Sequence, residues 1–446
     1  MTSTNGGSAP PPPPPMEPWL ATDELSDDLQ SISFTSTATT LQRSTSSASS
    51  SFSSNATVSV VASNVLSLSD LRFTMRLGAG DIGSVYLAEL KTASFPSQQQ
   101  HEQKRLAVKV MDKKELVSRC KEGRAKTEKE ILECLDHPFL PTLYAVVESS
   151  RWLCLLTEFC PGGDLHVLRQ RQPLKRFHPS AVRFYVSEVV VALEYLHMMG
   201  IVYRDLKPEN VLVRSDGHIM LTDFDLSLRC DEAASTPQII TSQDAPLAAL
   251  RGDGFVDHPQ FTSSSCIIPS CIVPAVSCFR LKRRRKKNAD SGGKPEFVAE
   301  PVDVRSMSFV GTHEYLAPEI VSGEGHGSPV DWWTLGIFMF ELFYGATPFR
   351  GADHEATLAN IVARALEFPK EPVVPAVAKD LISQLLMKEP ARRLGSGMGA
   401  SSIKHHPYFN GVNWPLLRCT APPYVPPPFS RDASEESCPE TPVEFY

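Results

Sequence analysis

The spacing of apolar residues predicts strands in the first part of the folded region. Residues 73–90 alternate glycines with β-branched and apolar side chains, and residues 106–111 and 152–159 are further apolar runs of strand length. The hydrophilic residues 91–104 predict a loop between the first two runs. Residues 124–135 instead have helical spacing, with apolar side chains on one face. This part of the chain therefore predicts a mainly β lobe that carries one helix.

The pattern becomes helical after this strand-rich part. Residues 181–198, 332–344 and 376–387 repeat apolar positions at the spacing of a helix. Residues 332–344 are almost wholly apolar but contain Glu341, which favours a buried core helix over a membrane span of about 20 apolar residues. A strand-rich part followed by a helix-rich part predicts an α+β chain with two unequal lobes and a cleft between them.

Two segments do not fit either pattern. Among residues 31–60, 18 of 30 are Ser or Thr, and residues 10–15 are all proline, so residues 1–70 predict a disordered Ser/Thr/Pro-rich region. Residues 231–304 are rich in Ser, Pro and Ala and predict a long inserted loop. Within that loop, seven of eight consecutive residues are basic and form the basic run: Arg280, Lys282, Arg283, Arg284, Arg285, Lys286 and Lys287.

Composition and charge exclude some classes of protein. The 446 residues contain 44 Lys and Arg against 51 Asp and Glu, a net charge of −7, so we do not expect a nucleic-acid partner. The first residues lack the pattern of a signal peptide, and the ten cysteines lack paired CxxC spacing. We therefore expect an intracellular protein with reduced thiols rather than a secreted or membrane-spanning one.

A glycine-rich turn is the first motif that indicates chemistry. Residues 78–85 match G-x-G-x-x-G-x-V, and glycines let a backbone approach phosphate groups closely. The first six positions also occur in dinucleotide-binding folds, where they open a helix, whereas here residues 84–88 continue as a strand. Lys109 follows inside an apolar strand. A lone strand lysine is ordinarily a solvated surface charge, but after a glycine-rich hairpin a phosphate-binding role is favoured.

The second motif lies in residues 203–225. Asp205, Lys207 and Asn210 precede an apolar run, and Asp223 follows Asn210 by thirteen residues. Phosphoryl transfer needs an aspartate beside the acceptor hydroxyl and oxygen ligands for magnesium beside the phosphates. Asp205 is the candidate for the first requirement, and Asn210 with Asp223 for the second.

In these motifs and their order, the sequence resembles the eukaryotic protein kinases from about residue 73 to residue 409. The resemblance implies the two-lobed protein kinase fold, with a β-rich N-lobe and a helical C-lobe. It also implies ATP and Mg²⁺ (or Mn²⁺) as cofactors. Lys109 would hold the α- and β-phosphates and pair with a helix glutamate, which is Glu128 or its rival Glu130.

The resemblance assigns further roles. Asp205 would orient and deprotonate the substrate hydroxyl, Lys207 would neutralise the transferring phosphoryl group, and Asn210 with Asp223 would ligate the metal ions. The nucleotide would be covered by Leu77, Gly78, Ala79, Gly80, Asp81, Gly83 and Val85. Adenine and ribose would be met at the hinge by Glu158, Cys160 and Asp164. Structural roles are implied for Arg204, Thr312, Glu319, Asp331 and Arg393.

Residues 159–165, 311–319 and 392–395 narrow the resemblance to the AGC group of serine/threonine kinases. Asp225 stands where most kinases have glycine, and about eighty residues separate it from residues 306–311. Both departures resemble the plant AGC VIII kinases. That resemblance implies phosphorylation of plasma-membrane auxin efflux carriers, in polar auxin transport and organ development. The alternatives are an AGC kinase with other substrates and a pseudokinase scaffold in which Asp225, lacking glycine's freedom at positive φ, has impaired catalysis.

Regulatory sites follow from the same resemblance. Ser308, three residues before Gly311, is the first candidate for activating phosphorylation and Ser306 is the second, with Arg204 as partner of the phosphate. Acidic residues would line a peptide groove that prefers basic residues N-terminal to the target serine, unless some of them are only structural. These residues are Asp164, Glu209 and Glu341.

The segments outside the catalytic motifs indicate location and partners. The basic run is a solvated charge run, a nuclear-import signal or a site for anionic lipids, and the last interpretation predicts a cytoplasmic protein held peripherally at the plasma membrane. Residues 410–446 resemble the AGC tail, which docks an upstream phosphoinositide-dependent kinase through Phe-x-x-Phe. Here Val443 replaces the first aromatic, which leaves Phe445 and Tyr446. Residues 71–409 are then the kinase domain.

Overall fold

The computed structural model describes residues 68–91, 105–230, 238–240, 296–298 and 306–429. The predictions for the region before residue 68, for the basic run and for Val443, Phe445 and Tyr446 lie outside these residues.

Five strands build the first lobe: β1 Leu71–Ala79, β2 Ser84–Leu90, β3 Arg105–Asp112, β4 Leu143–Glu148 and β5 Trp152–Glu158. They form an antiparallel sheet in the order β1-β2-β3-β5-β4. The strands predicted from the apolar runs are confirmed as the β1–β2 hairpin, β3 and β5. The sequence pattern did not predict β4.

Two helices follow β3: α1 Lys113–Ser118 and α2 Glu122–Cys134. The Asp112 carboxylate caps α1 by accepting a hydrogen bond from the Lys114 N–H at 2.8 Å. The predicted helix is confirmed as α2, whereas the six-residue α1 was not predicted. The buried face of α2 contains Glu128 among apolar residues, which indicates that its carboxylate has a partner inside the protein.

The second lobe is helical: α3 Leu165–Gln170, α4 Pro179–Met198, α5 Pro318–Val321, α6 Pro329–Tyr344, α7 His354–Ala363, α8 Ala376–Leu385 and α9 Gly399–Lys404. The three helices predicted from the apolar pattern are confirmed as α4, α6 and α8. α6 is buried along nearly its whole length, as expected for a core helix, and ends at Gly345, whose φ is 80°. Within the described part of the chain, no helix combines the length and the apolarity that crossing a bilayer requires.

Short strands fix the loops that face the first lobe: β6 Ile201–Val202, β7 Val211–Val213, β8 Ile219–Leu221 and β9 Leu228–Arg229. β6 pairs with β9 and β7 pairs with β8, both antiparallel. The chain between β6 and β7 and the chain between β8 and β9 are therefore brought side by side. These two loops contain the second motif of the sequence.

A separate unit lies within the predicted insertion. Its described strands are β10 Gln238–Ile240 and β11 Glu296–Val298, which pair antiparallel with Gln238 opposite Val298. The sequence pattern predicted a loop here and did not predict this pairing.

Candidate active site

The turn between β1 and β2 packs its backbone tightly against β3. A Cβ atom at Gly83 would lie 2.5 Å from the Val110 carbonyl oxygen and 2.7 Å from Met111 Cγ, so only glycine fits there. The Gly80 N–H donates to the Gly83 carbonyl at 2.8 Å and closes the turn. A Cβ at Gly80 would lie 4.0 Å from Asp223 Oδ2, which shows how near the turn comes to that carboxylate.

The other hairpin residues predicted to cover a nucleotide flank this turn. Leu77, Gly78 and Ala79 end β1, and Val85 lies in β2 opposite Lys109. Asp81 is at the tip of the turn, where its carboxylate contacts basic side chains.

Lys109 lies at the centre of an ion-pair cluster. Because side chains alternate along a strand, burial of Val108 and Val110 in the core on one face of the sheet directs Lys109 to the opposite face. There its Nζ lies 2.8 Å from both carboxylate oxygens of Glu128 and 2.9 Å from Asp223 Oδ1. Burial opposes the charge on Lys109, but the two carboxylates outweigh burial and raise its pKa.

Glu128, and not its rival Glu130, faces this cluster. Glu128 lies on the buried face of α2, whereas the Glu130 side chain is 44% exposed and pairs with Lys126 at 3.7 Å. The α2 helix therefore carries the Lys109 partner on its inner face.

The loop after β6 holds Asp205 in a second cluster. Asn210 Nδ2 donates to Asp205 Oδ2 at 2.7 Å, and Lys207 Nζ lies 3.1 Å from the same oxygen. Lys207 also donates to Thr312 Oγ1 at 3.0 Å, and that hydroxyl lies 3.4 Å from Asp205 Oδ1. Burial raises the pKa of Asp205, although the Lys207 charge opposes the shift. A hydroxyl group brought here would meet a carboxylate and an ammonium group together.

Asp331 in α6 fixes the backbone of this loop. Its carboxylate accepts hydrogen bonds from the Tyr203 N–H at 2.8 Å and the Arg204 N–H at 2.7 Å, and it lies 2.8 Å from His197 Nε2. Arg204 has a φ of 68°, and a non-glycine residue in this region needs such support.

The two clusters offer oxygen atoms to a divalent cation. Asp223 uses Oδ1 for Lys109 and directs Oδ2 towards the turn, while Asn210 uses its amide nitrogen for Asp205 and keeps its amide oxygen as an acceptor. Mg²⁺ is typically bound by one or two protein oxygen ligands together with phosphate and water, so this donor set fits the ion. The Thr222 N–H donates to the Asn210 carbonyl at 3.0 Å, which joins the two loops.

Asp225 is buried and paired rather than strained. It is 4% exposed, and its Oδ2 lies 2.5 Å from Arg124 Nη2 in α2. Burial and the nearby Asp223 raise the pKa of Asp225 to about 6. Asp225 does not need the positive φ that glycine would allow. In this segment the residue with a positive φ is Asp223, at 59°. Asp225 is thus accommodated by a partner and not by a glycine-like backbone.

The hinge residues extend from the last residue of β5 to the N-cap of α3. The Glu158 carboxylate pairs with Arg214 Nη1 at 2.6 Å, and the Cys160 thiol is buried beside Met220, with burial raising the thiol pKa. Asp164 caps α3 by accepting from the Val167 N–H at 2.7 Å.

The predicted groove carboxylates differ in accessibility. Glu209 is 46% exposed in its side chain and lies 2.9 Å from His166 Nδ1. Glu341 is buried, where Arg169 Nη2 lies 2.7 Å from Oε1 and the Tyr315 hydroxyl donates to Oε2 at 2.5 Å. Of the two, Glu209 is the carboxylate that a bound peptide could reach directly.

The two candidate serines differ in their position relative to Arg204. Arg204 Nη1 donates to Ser306 Oγ at 3.2 Å and lies 3.3 Å from His326 Nε2. Ser306 is held there because its backbone exchanges two 2.9 Å hydrogen bonds with His326. Ser308 is exposed, and its N–H donates to Ser306 Oγ at 3.2 Å. Ser306, the second candidate from the sequence, is therefore the serine that contacts Arg204.

The sequence did not predict Arg124, His166, Arg169 or His326 as partners of the site residues. For Arg124 a signal was present, since it lies four residues before Glu128 and hence on the same face of α2.

Comparison with known proteins agrees with this geometry. The family model described as "Protein kinase domain" matches residues 71–244 and 292–409. A protein kinase of Oryza sativa subsp. indica is 56% identical over 378 residues, covering 82% of this chain and 62% of the rice protein. Serine/threonine-protein kinase AGC1-5 of Arabidopsis thaliana is 53% identical over 365 residues, covering 81% of this chain and 60% of that protein.

A further relative is matched over more of its length. Serine/threonine-protein kinase RHS3 of Arabidopsis thaliana is 54% identical over 363 residues, covering 81% of this chain and 70% of that protein. This chain thus spans about six tenths of the length of the rice relative and seven tenths of that of RHS3. It belongs to the protein kinase family, with the two-lobed fold predicted from its motifs and with plant AGC-family serine/threonine kinases among its homologues.

Proposed function

We propose that this chain is a serine/threonine protein kinase that transfers the γ-phosphoryl group of ATP to serine hydroxyls of protein substrates. One observation supports this function above the others: the loops on either side of β7 and β8 join the Lys109–Asp223 ion pair to the Asp205–Asn210 pair. A phosphate-binding amine, a metal-binding carboxylate and a hydroxyl-binding carboxylate then face one cleft.

Each group in this arrangement has a role in the transfer. Lys109 holds the α- and β-phosphates, and Asp205 orients the serine hydroxyl and accepts its proton. A bond forms between the serine oxygen and the γ-phosphorus while the bond to the β–γ bridging oxygen breaks. Lys207 lies beside Asp205 and stabilises charge on the phosphoryl group. Asn210 and Asp223 would hold magnesium, which would supply positive charge to the phosphates.

A radiolabel-transfer assay tests this function. Wild type, Asp205→Asn and Lys109→Met are compared with γ-labelled ATP and a serine peptide that carries Arg N-terminal to the serine. We expect both variants to lose activity, Asp205→Asn by about a hundredfold or more. Asp380→Asn, which changes an aspartate that is 60% exposed in its side chain, is the matched control and should transfer label normally. An inactive wild type, or an active Asp205→Asn, would contradict the proposal and favour a scaffold role.

The pseudokinase alternative has less support. Asp225 does not displace any group of the site, because its carboxylate is turned to Arg124. Lys109, Asp205 and Asp223 keep the partners that transfer requires.

We propose a substrate class from the resemblance to the AGC VIII kinases and, more narrowly, to PINOID. The substrates are plasma-membrane auxin efflux carriers, phosphorylated at serines in a basic context, with an effect on polar auxin transport and organ development. The accessible Glu209 supports the basic context. Transfer to the cytosolic loop of such a carrier, compared with a loop whose serines are alanine, tests the assignment. Equal label on both loops would reject it.

We also propose activation by phosphorylation of Ser306 or Ser308, carried out by a phosphoinositide-dependent kinase docked on the tail. Arg204 supports this, because its buried guanidinium donates a hydrogen bond to the Ser306 hydroxyl. Ser308→Ala and Ser306→Ala each change one acceptor, and the variant that loses activation after treatment with the upstream kinase identifies the site. If both variants are activated like wild type, neither serine is the acceptor.

The domain limits and location remain part of the proposal. We propose residues 71–409 as the catalytic domain, with an insertion at about 231–304, and residues 410–446 as the tail. The disorder predicted for residues 1–70 concerns residues that lie outside the described part of the chain, except for Leu68–Asp70, which form a short 3₁₀ helix. The basic run would bind anionic lipid at the plasma membrane, with a nuclear signal as the alternative. Replacing it by Gln should release the protein from vesicles that contain phosphatidylserine, and unchanged binding would reject the lipid interpretation.

A further inference from the structure

An acidic side chain occupies the tip of the glycine-rich turn, where phosphate groups would come closest. Three basic side chains surround the Asp81 carboxylate: Arg119 lies 2.8 Å from Oδ1, and Lys121 and Arg124 are in direct contact. All three come from the end of α1 and the start of α2. The turn is thus tied to the helix that carries Glu128.

Arg124 has a second carboxylate on its other side. Its Nη1 contacts Asp81, and its Nη2 lies 2.5 Å from Asp225 Oδ2. The Asp225 side chain is 3% exposed, so its charge needs compensation in the interior. Lys109 stabilises that charge from nearby, and the Arg124 guanidinium does so by direct contact. One helical turn further along α2, Glu128 contacts Lys109 at 2.8 Å.

We propose that Arg124 is a positioning residue that neutralises Asp81 and Asp225 together, so that the glycine-rich turn can close over a triphosphate while α2 keeps Glu128 at Lys109. The inference rests on the proposed function, because it assigns the turn to nucleotide phosphates. Without Arg124, Asp81 would keep Arg119 and Lys121, but the two carboxylates together would gain one unit of uncompensated negative charge. That charge would repel phosphate groups, and the repulsion grows with the number of phosphates carried by the ligand. The Asp-Phe-Asp segment is coupled to the turn through the same guanidinium.

The test measures binding of ATP, ADP and adenosine by calorimetry in the presence of Mg²⁺, and therefore does not require transfer. For Arg124→Gln we expect ATP affinity to fall about tenfold, ADP affinity to fall less, and adenosine affinity to stay within about twofold. Lys126→Gln is the matched control, because Lys126 is on the same helix, is 76% exposed and pairs with Glu130 at 3.7 Å. It should leave all three affinities unchanged.

Rescue distinguishes a charge effect from a structural one. Adding Asp81→Asn to Arg124→Gln should restore most of the ATP affinity, and Arg124→Lys should keep part of it. If Arg124→Gln loses adenosine binding, its fold is affected, and the series is then measured on Arg124→Gln with Asp225→Asn, which leaves no unpaired buried carboxylate.

Two results would overturn the inference. One is an ATP affinity that does not fall, or that falls no more than the adenosine affinity, in the variant that retains adenosine binding. The other is a failure of Asp81→Asn to restore ATP affinity. A wild type that binds ATP but transfers no label would reject the proposed function and leave this test intact. The kinetic counterpart is a rise in KM for ATP, and it is smaller in Arg124→Lys.

Discussion

The buried ion pair between Glu319 and Arg393 yields a sharp prediction about stability. Arg393 donates to the two Glu319 oxygens at 2.7 and 2.9 Å, and the side chains are 0% and 3% exposed for Arg393 and Glu319. Arg393 also donates to the carbonyls of Met387 at 3.1 Å and Pro329 at 2.8 Å, and its guanidinium lies 5.2 Å from the Trp333 ring centroid. The substitution Glu319→Gln keeps the side-chain volume, removes the negative charge and replaces one of the two acceptor oxygens by an NH2 group.

The expected loss of stability follows from the position of the Arg393 charge, which is left buried without its partner. Removing one partner of a buried ion pair leaves the other charge without compensation and out of reach of water, which costs about 3–5 kcal/mol. In a domain of this size, 1 kcal/mol lowers Tm by about 2 °C, so we expect Tm to fall by ~6–10 °C. The carbonyl contacts of Arg393 do not prevent this, because they carry partial charges only.

Thermal unfolding followed by circular dichroism measures the effect. The control is Glu389→Gln, since Glu389 and its partner Arg392 are 63% and 68% exposed and 4.0 Å apart, and an exposed pair contributes about 0.5 kcal/mol or less. Combining Glu319→Gln with Arg393→Met should recover much of the loss, since the unpaired charge is then absent. If Glu319→Gln unfolds within 2 °C of the control, water reaches Arg393 and the burial argument is refuted.

Three further predictions concern the turn, a histidine and the groove. Gly83→Ala should destabilise the protein by about 1–3 kcal/mol because its Cβ would meet the Val110 carbonyl at 2.5 Å, while Gly78→Ala, with no atom within 4 Å, should unfold like wild type in the same thermal assay. Burial lowers the pKa of His137 to about 4. Below about pH 6.5 the unfolded chain therefore takes up a proton that the folded chain does not, and stability decreases as the pH is lowered. In His137→Gln the loss of stability between pH 7 and pH 5 should be smaller by about 1 kcal/mol, allowing for solvent screening of this half-buried ring, and an equal loss would contradict the burial effect. For two peptides that differ only by Arg or Ala before the serine, Glu209→Gln should reduce the ratio of their kcat/KM values about fivefold. An unchanged ratio would show that Glu209 does not contact the peptide.

Side chains that share a short stretch of backbone could be predicted from the sequence. Asp205, Lys207 and Asn210 lie within six consecutive positions, so the conformation of one loop brings them together. Lys109 is similar, because strand alternation alone places it on the face opposite Val108 and Val110. Local spacing is sufficient in such cases, and it also predicted the buried helix α6.

Pairs between distant segments could not be predicted in this way. Arg124 and Asp225 are 101 positions apart, and Arg169 and Glu341 are 172 apart. Which charges meet depends on how α2 packs against the loop after β8 and how α3 packs against α6, and neither packing has a signal in local spacing. The contact between Ser306 and Arg204 could not be predicted for the same reason. It depends on the backbone hydrogen bonds between Ser306 and His326, which orient that segment.

The backbone strain near the site lies at residues that the sequence did not single out for it. The pseudokinase alternative assigned the strain to Asp225, whereas the left-handed φ values are 68° at Arg204 and 59° at Asp223. Such conformations cost about 1–3 kcal/mol each and persist when surrounding contacts hold them. Asp331 holds the first by accepting from the Arg204 N–H at 2.7 Å, and Lys109 holds the second at 2.9 Å from Oδ1. The supporting groups come from α6 and β3, so the strain lies beside Asp205 and at the proposed metal-binding carboxylate because tertiary contacts stabilise the backbone there.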